Sequence, residues 1–383
     1  MAQIILGSYM IRYPLGGNLS WALQFLKGFQ MLGHDIYFFE KANYSNACYD
    51  PKRNVMADDP AEGIEIVKAL LEMNGLGDKW CFVDIQGTCY GRSRSEISNL
   101  FRSADIYIDM GAHGAWEEES ILTPIRVLIE GEPGYTQMLM ENSEKKTNFD
   151  FYYSAGCLVG TERTKAPDAG RSWRHLWNLV ATDLFSVEPP PAGASFTTVM
   201  NWQSHKPIIF DGQTFGQKDI EFQRFMSLPS KLDTSLEVSV SGKAPIKKLK
   251  EHGWRTRDAK SVTKTVEQYY RYIRDSKGEF SVCKNVFVQT YGGWFSDRSA
   301  VYLASGRPVI LQETGFSEKL PCGKGLFAVT DIDQAAEAIR EVELDYEEHS
   351  RAAREIAIEY LDAKKLLSTF IDDIGGSDYV SKI

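Results

Sequence analysis

The sequence predicts an α/β protein built from two domains of similar size. Three observations support this: a strand–helix–strand opening, a second alternating series of strands and helices after residue 235, and a proline-rich segment between them. Such alternation is typical of parallel sheets wrapped by helices. A length of 383 residues also fits two or three domains with substantial cores.

The first domain begins with a short apolar run at residues 4–6, which predicts a buried strand. Apolar side chains then recur at helical spacing between residues 19 and 29, and Gly33 suits the position just after a helix. The segment DIYFFE at 35–40 predicts the next strand. Further patterns predict helices over 61–74 and 95–103, and strands over 105–110 and 125–129.

The region between the two series loses this periodicity and gains aromatic residues, glycine and proline from about residue 150 to 195. The segment SVEPPPAGASF at 186–196 is the best linker candidate, because consecutive prolines exclude helix and favour an extended spacer. We therefore predict a first domain over 1–190 and a second over 195–360.

The second series begins with SLEVSV, a predicted strand at 235–240. The following patterns predict strands over 285–289, 309–311 and 326–329, and helices over 262–274, 332–342 and 349–365. In the last helix, small and apolar residues between 352 and 360 fall on one face, so it should pack against a core.

Composition and charge exclude several classes of protein. The formal net charge of −9 argues against a general nucleic-acid binder. Six scattered cysteines without a CxxC pair indicate a reducing compartment, and no apolar run approaches the roughly 18–20 residues that cross a bilayer. We expect a soluble, cytoplasmic protein.

Residues 291–310, YGGWFSDRSAVYLASGRPVI, combine a turn, a helix start and a proline-led apolar run. Gly292 and Gly293 permit positive φ and close approach of a ligand to the backbone. Ser296 suits the N-cap of the following helix, and Arg298 lies in its first turn. Amides, a hydroxyl and a guanidinium at a helix start favour phosphate binding, although a well-capped strand–turn–helix unit explains the same residues equally well.

Other polar loops strengthen the phosphate hypothesis. We expect SKGEFSVCKN, which ends near Lys284, to form a loop before the strand at 285–289, and GQTFGQKD to form another loop that carries Lys218. In QETG, Glu313, Thr314 and Gly315 follow a predicted strand. Several such loops at one sheet edge predict a phosphate-and-sugar site, although Lys284 alone is more often a solvated surface charge.

Three segments of the second half, YGGWFSDRS, ASGRPVILQETGF and LPCGKGLF, together resemble the nucleotide-binding half of GT-B glycosyltransferases. The first half is similar to the same group through GGN near the start, EPGYTQ at 132–137 and FTTVMNW at 196–202. The resemblance implies two Rossmann-like domains facing across a cleft. It places the donor on the second domain and the acceptor on the first, with a last helix over 361–383 crossing back to the first domain.

The implied reaction transfers a sugar from a nucleotide diphosphate sugar to a hydroxyl or amine, with no cofactor beyond this co-substrate. The acceptor is expected to be a small molecule, a saccharide or a lipid-linked molecule, and a homodimer is compatible with this assignment. We expect no DxD-type metal site, and in its absence positive charge and helix amides must stabilise the leaving group. The candidates are Arg298, Lys284, Ser296, Gly292 and Gly293.

For a general base, the candidates are His113, Glu132 and Asp109. The histidine follows a predicted strand of the first domain, and its pKa is suited to proton transfer near neutral pH. A structural loop histidine is the alternative. Donor phosphate or acceptor contacts are expected from GGN, that is Gly16, Gly17 and Asn18; a role only in the turn is the alternative.

The sequence departs from related patterns in ways that leave the chemistry open. Retaining members with paired glutamates would carry them where this chain has Gly293 and Val301, so Asp297 or Glu313 would have to substitute. Retention and inversion of configuration both remain open. A nucleotide-sugar 2-epimerase and a non-catalytic nucleotide-sugar-binding partner subunit are alternatives. A Rossmann dehydrogenase is a third option, which we set aside because no strand–GxGxxG–helix fingerprint followed by an acid about 20 residues on appears.

Overall fold

The computed structural model describes residues 1–143 and 148–375, which form two parallel sheets flanked by helices. The first sheet has eight strands in the order β10-β9-β8-β7-β1-β2-β5-β6, all parallel except β6. Its strands are β1 Gln3–Gly7, β2 Asp35–Lys41, β5 Trp80–Val83, β6 Cys89–Tyr90, β7 Ile106–Asp109, β8 Ile125–Glu130, β9 Phe151–Ser154 and β10 Trp173–His175. The remaining pair, β3 Cys48–Asp50 and β4 Val55–Ala57, forms a separate hairpin.

The second sheet has six parallel strands in the order β15-β14-β11-β16-β17-β18. They are β11 Phe196–Asn201, β14 Leu236–Ser241, β15 Arg255–Asp258, β16 Gly278–Ser281, β17 Val309–Gln312 and β18 Leu326–Val329. A hairpin, β12 Ile208–Phe210 with β13 Gln213–Phe215, follows β11. Residues 186–193, which precede this sheet, lie outside helices and strands and are largely exposed.

The helices cover both sheets. In the first half they are α1 Gly16–Met31, α2 Ala61–Met73, α3 Arg94–Ser103, α4 Glu117–Ser120 and α5 Tyr135–Glu141. In the second half they are α6 Lys218–Phe222, α7 Ile246–Glu251, α8 Lys260–Thr263, α9 Val266–Arg274, α10 Asn285–Thr290, α11 Asp297–Ala304, α12 Ile332–Leu344, α13 Tyr346–Tyr360 and α14 Ala363–Gly375. The predicted helices over 262–274 and 349–365 are each divided in two, at residues 264–265 and 361–362.

The last two helices pack on different cores. Ala353 and Ile356 of α13 belong to the core of the second half, whereas Leu367 and Phe370 of α14 belong to the core of the first. A side chain at Gly28 of α1 would meet the Cδ1 atom of Leu367 at 2.5 Å, so the glycine permits the close approach of α14. Residues 376–383 of the predicted C-terminal helix lie outside the described residues.

The strand predicted at 285–289 is wrong, because α10 occupies this segment. The parallel strand is β16, which precedes this segment in the chain. Its residues Glu279–Ser281 pair with β17 and are buried. Short apolar runs do not distinguish a buried strand from a buried helix, and alternating valines at 286 and 288 favoured strand. The segment SKGEFSVCKN is therefore sheet core rather than a loop.

A backbone junction joins the two halves where the sequence predicted a phosphate turn. The amides of Cys157 and Leu158 donate to the carbonyls of Gly293 and Gly292, at 3.2 and 3.0 Å. Gly293 has φ +78°, and a side chain there would meet the Sγ atom of Cys157 at 2.5 Å. The glycine is thus required for close contact between the halves.

We expect Gly293→Ala to lower the free energy of unfolding by about 2–4 kcal/mol, since it adds left-handed strain to a steric clash. Gly193→Ala is the matched control: Gly193 has φ +75° but no neighbour within 4 Å of its added methyl in the described structure. It should cost only about 1–2 kcal/mol. Equal losses in chemical denaturation would show that crowding at the junction contributes nothing.

Candidate functional site

A cavity of about 580 Å³ lies between the two halves. Its size is in the range of small-molecule sites. The first half supplies most of its wall, including Tyr9, Gly17, Asn18, Trp21, Asp109, His113, Glu130, Glu132, Tyr135, Thr136, Leu139, Met140, Phe149 and Arg171. The second half contributes His205, Lys284, Phe287, Trp294 and Asp297.

An ion pair crosses this cavity. The ammonium of Lys284 bonds to the carboxylate of Glu132, and the Nε2 atom of His205 lies 3.3 Å from the same carboxylate. Burial acts to raise the pKa of Glu132, but Lys284 and His205 outweigh it and lower the pKa to about 2. A carboxylate held this strongly ionised is a weak proton acceptor, so Glu132 is poorly suited to the predicted role of general base.

Asp109 has a supporting role that its position at the end of β7 did not reveal. It is fully buried and accepts hydrogen bonds from the amides of Ala112, His113 and Gly114, at 2.9, 3.1 and 2.8 Å. These bonds fix the loop that carries His113. Asp109 lines the cavity, but the loop amides occupy its oxygens, and its role as a base stays a prediction.

His113 is the base candidate whose side chain is exposed toward the cavity. Its backbone has φ +52°, a left-handed conformation that Asp109 stabilises through the loop amides. No hydrogen bond to its ring is made by the residues that the structure describes. The imidazole is thus free to contact a ligand.

The three residues of the predicted GGN turn have different surroundings. Gly17 and Asn18 line the cavity at the start of α1. Gly16 instead lies against α9, where an added side chain would meet the Cβ atom of Tyr269 at 2.7 Å. Gly16 therefore sets the approach of α1 to the second half.

Asp297 brings a carboxylate into the cavity at the first position of α11. Burial raises its pKa, and Arg298 and Lys218 oppose this effect. Ser296 is the N-cap residue, as predicted, but its side chain makes no capping bond to the helix. The start of α11 thus presents an acid to the cavity rather than the predicted guanidinium.

The guanidinium of Arg298 is hydrogen-bonded to residues of the second sheet. Its Nε, Nη1 and Nη2 atoms donate to Glu279, the carbonyl of Val199 and the hydroxyl of Ser281, at 2.6, 3.0 and 2.7 Å. The arginine is 8% exposed and its partner Glu279 is fully buried. Because the guanidinium is occupied and does not line the cavity, Arg298 is poorly placed for direct contact with a diphosphate.

Lys218 is the exceptional cation. It begins α6, is 7% exposed, and has no hydrogen-bond or ion-pair partner in the part of the chain that the structure describes. Burial, followed by the nearby charge of Arg298 and then Lys284, lowers its pKa to about 7. A buried ammonium without a counter-ion is costly, so an anion placed beside it would be strongly stabilised.

The remaining predicted donor residues lie at the junction between the halves. The amide of Gly293 donates to the carbonyl of Thr314 at 2.7 Å, so it is not available to a phosphate. The hydroxyl of Thr314 donates to the carbonyl of Trp294, and Glu313 accepts from the amides of Thr314 and Gly315. Gly292 packs against Pro133. These residues shape the junction.

Sequence reasoning missed several cavity residues, of which Glu130 is the most distinctive. Burial raises its pKa to about 7, although Ser154 donates a hydrogen bond to it and the amide of Glu132 donates another at 2.7 Å. Its place at the carboxyl end of a predicted strand was the available signal. His205 and Arg171 lie in irregular segments, and no sequence pattern pointed to either residue.

Several solved structures are similar to this chain over nearly its whole length. An alpha-glucosyltransferase in complex with UDP matches 98% of this chain and 100% of its own, with 11% identity and a TM-score of 0.57. TarM matches with 12% identity and a TM-score of 0.58, over 98% of this chain and 99% of its own. HepE of Anabaena, in complex with UDP and glucose, matches with 11% identity and a TM-score of 0.57, over 98% of this chain and 100% of its own.

The chain has the GT-B fold. The predicted architecture, two Rossmann-like domains, is confirmed by these full-length matches and by the two parallel sheets. No family model and no curated protein matches the sequence. Among the described residues, no helix has the length and apolarity to cross a bilayer, and no group of three or more metal-binding side chains occurs.

We expect Lys218→Met to stabilise the free protein, and more at pH 6.5 than at pH 9. The pKa of Lys218 is about 7 in the fold against 10.5 ordinarily, so between these values the unfolded chain binds more protons. The penalty for the charged lysine grows as the pH falls from 10.5 towards 7, so the gain from Lys218→Met should be larger at pH 6.5 than at pH 9 by about 2–3 kcal/mol.

Denaturation of the wild-type protein and the variant at both pH values would measure this difference. The exposed Lys247→Met is the control and should show no pH-dependent gain. A Lys218→Met variant that is equally stabilised at both pH values would contradict the depressed pKa.

Proposed function

We propose that this GT-B protein transfers a sugar from a nucleotide diphosphate sugar to a hydroxyl or amine acceptor, in the cavity between its halves. The observation that carries the proposal is Lys218, a buried cation without a partner among the described residues, which lies near enough to Arg298 and to the cavity-lining Lys284 for their charges to lower its pKa. The similar structures that contain UDP support the same class of donor. A nucleotide diphosphate supplies the anion that this cluster lacks.

The cations stabilise the leaving group. When the bond between the anomeric carbon and the diphosphate breaks, the electron pair leaves with the diphosphate, and Lys218 and Lys284 neutralise the added charge. Lys284 exchanges Glu132 for phosphate oxygen in this step. Since two lysines and the charge of Arg298 serve this purpose, we propose that the reaction requires no metal ion.

The acceptor side completes the reaction. The acceptor oxygen or nitrogen forms the new bond to the anomeric carbon, and its proton passes to a base or to the departing phosphate. His113, whose ring faces the cavity, is our candidate for the proton or for a sugar hydroxyl. Asp297 is the candidate for hydrogen bonds to the sugar, in place of the missing glutamates.

We infer a cytoplasmic protein that acts on a small-molecule, saccharide or lipid-linked acceptor, with a homodimer compatible with the fold. One similar structure, an alpha-glucosyltransferase, is in complex with a 13-mer DNA as well as UDP. The net charge of −9 disfavours a nucleic-acid acceptor for this chain.

A thermal-shift series with UDP, dTDP, GDP, ADP and CDP tests the donor site. A ligand at tenfold excess over its Kd should stabilise the protein by about 1.4 kcal/mol. We expect a shift with one nucleotide, retained in Lys247→Met and lost in Lys218→Met. Arg298→Ala is unsuitable, because it leaves Glu279 buried and unpaired. A shift that persists in Lys218→Met, or no shift at all, would refute this site.

Glu132→Gln distinguishes a competitor for Lys284 from a catalytic base. In the free protein the carboxylate of Glu132 pairs with the ammonium of Lys284. Replacing the carboxylate with a neutral amide frees the ammonium, so we expect the nucleotide to bind severalfold more tightly in calorimetry. If Glu132 were the base, the nucleotide Kd would stay unchanged while transfer fell about 100-fold or more. Unchanged affinity with lost transfer would thus restore the base assignment.

The second candidate is a non-catalytic nucleotide-sugar-binding subunit. It is favoured by the two positions where paired glutamates would stand: Gly293 is packed against Cys157, and Val301 is buried. Nucleotide binding with no release of nucleoside diphosphate from any sugar nucleotide would support it. Turnover that depends on Lys218 would exclude it.

A further inference from the structure

We propose that the acceptor is an anionic molecule with an apolar or aromatic body, whose charged group is bound by Arg171. This inference rests on the proposed function, since it specifies the chemistry of the acceptor half of the same cavity. It draws on the shape of the wall, the placement of Arg171 and the balance of charge around it.

The wall of the first half is largely apolar at this end. Leu139 and Met140 of α5 and the ring of Phe149 all line the cavity, and Leu139 is 47% exposed. An exposed leucine at a concave site gains free energy when a ligand covers it. This end of the cavity therefore suits an apolar or aromatic body rather than a bare sugar.

Arg171 is held at the same wall by a constrained turn. Ala169 has φ +53° and Gly170 has φ +66°, and the amides of Gly170 and Arg171 donate to the side chain and carbonyl of Asp168, at 2.8 and 3.1 Å. A left-handed alanine costs about 1 kcal/mol or more. The turn keeps that strain while directing the arginine to the cavity.

The guanidinium of Arg171 has unused capacity. Its Nη2 atom donates to Asn148 at 2.9 Å, and the group lies over the ring of Tyr152, 5.1 Å from the centroid. Its Nε atom is buried without an acceptor. Among the described residues, its Nη1 atom has no hydrogen-bond partner and no carboxylate pairs with the group. A stacked guanidinium with a free edge is suited to a carboxylate or phosphate.

Two of the acids that line the cavity have other partners. Glu132 is engaged by Lys284 and His205. Glu130 is buried beneath Ser154, and burial raises its pKa to about 7, so it is substantially protonated near neutrality. Among the described residues, Arg171 thus has no carboxylate partner, and apolar side chains line the same cavity.

The experiment compares two isosteric probes by calorimetry: 4-hydroxybenzoate, which is anionic, and 4-hydroxybenzyl alcohol, which is neutral. We expect the wild-type protein to bind the anion at least tenfold more tightly. Arg171→Met should remove this preference and leave the Kd of the alcohol within about threefold. Leu139→Ser should weaken both probes. Arg102→Met, an exposed arginine on α3, is the matched control and should change neither.

Equal affinity for the two probes, no binding of either, or an anion preference that survives in Arg171→Met would overturn the proposal. The nucleotide thermal shift separates this outcome from failure of the proposed function. A shift retained in Arg171→Met shows an intact fold and donor site. Preference for 4-hydroxybenzoate in a protein that binds no nucleotide would refute the transferase and leave the anion site standing.

Discussion

The backbone junction between Gly156–Leu158 and Gly292–Trp294 is the constraint on which the site depends. It brings two parallel sheets together without intervening side chains, and glycines at 156, 292 and 293 make this approach possible. From the junction, the indole of Trp294 donates to the carbonyl of Gly131 at 3.2 Å. The loop after β8 is thereby placed beside Lys284, and the cavity between the halves takes its shape.

Three cations lie near one another next to this junction, and only two of them have an acidic partner among the described residues. Arg298 is neutralised by Glu279 within the sheet, and Lys284 is neutralised by Glu132 across the cavity, but Lys218 is left without a partner in the described structure. A buried cation of this kind lowers the stability of the free protein. Such local instability is characteristic of binding sites, where a ligand supplies the missing charge.

The sequence predicted the alternation of strands and helices well, because apolar periodicity directly reflects burial on one face. It could not separate a buried helix from a buried strand at 285–290, where both bury valine and phenylalanine. It predicted Lys218 as a donor residue, which stays a prediction, but not its burial, which arises from contacts distant in sequence. The Gly292–Gly293 pair was interpreted as a phosphate turn, since close backbone approach demands glycine whether the neighbour is a ligand or another domain.

Hydrogen-exchange mass spectrometry with and without a saturating concentration of UDP tests the central claim most directly, because it locates binding without assuming turnover. The account predicts slower exchange at the start of α6, over residues 216–222, and at the segment 282–287 that carries Lys284. Protection confined to other surfaces, or absent from both segments while UDP binding is measured independently, would contradict the assignment of the donor phosphates to Lys218 and Lys284.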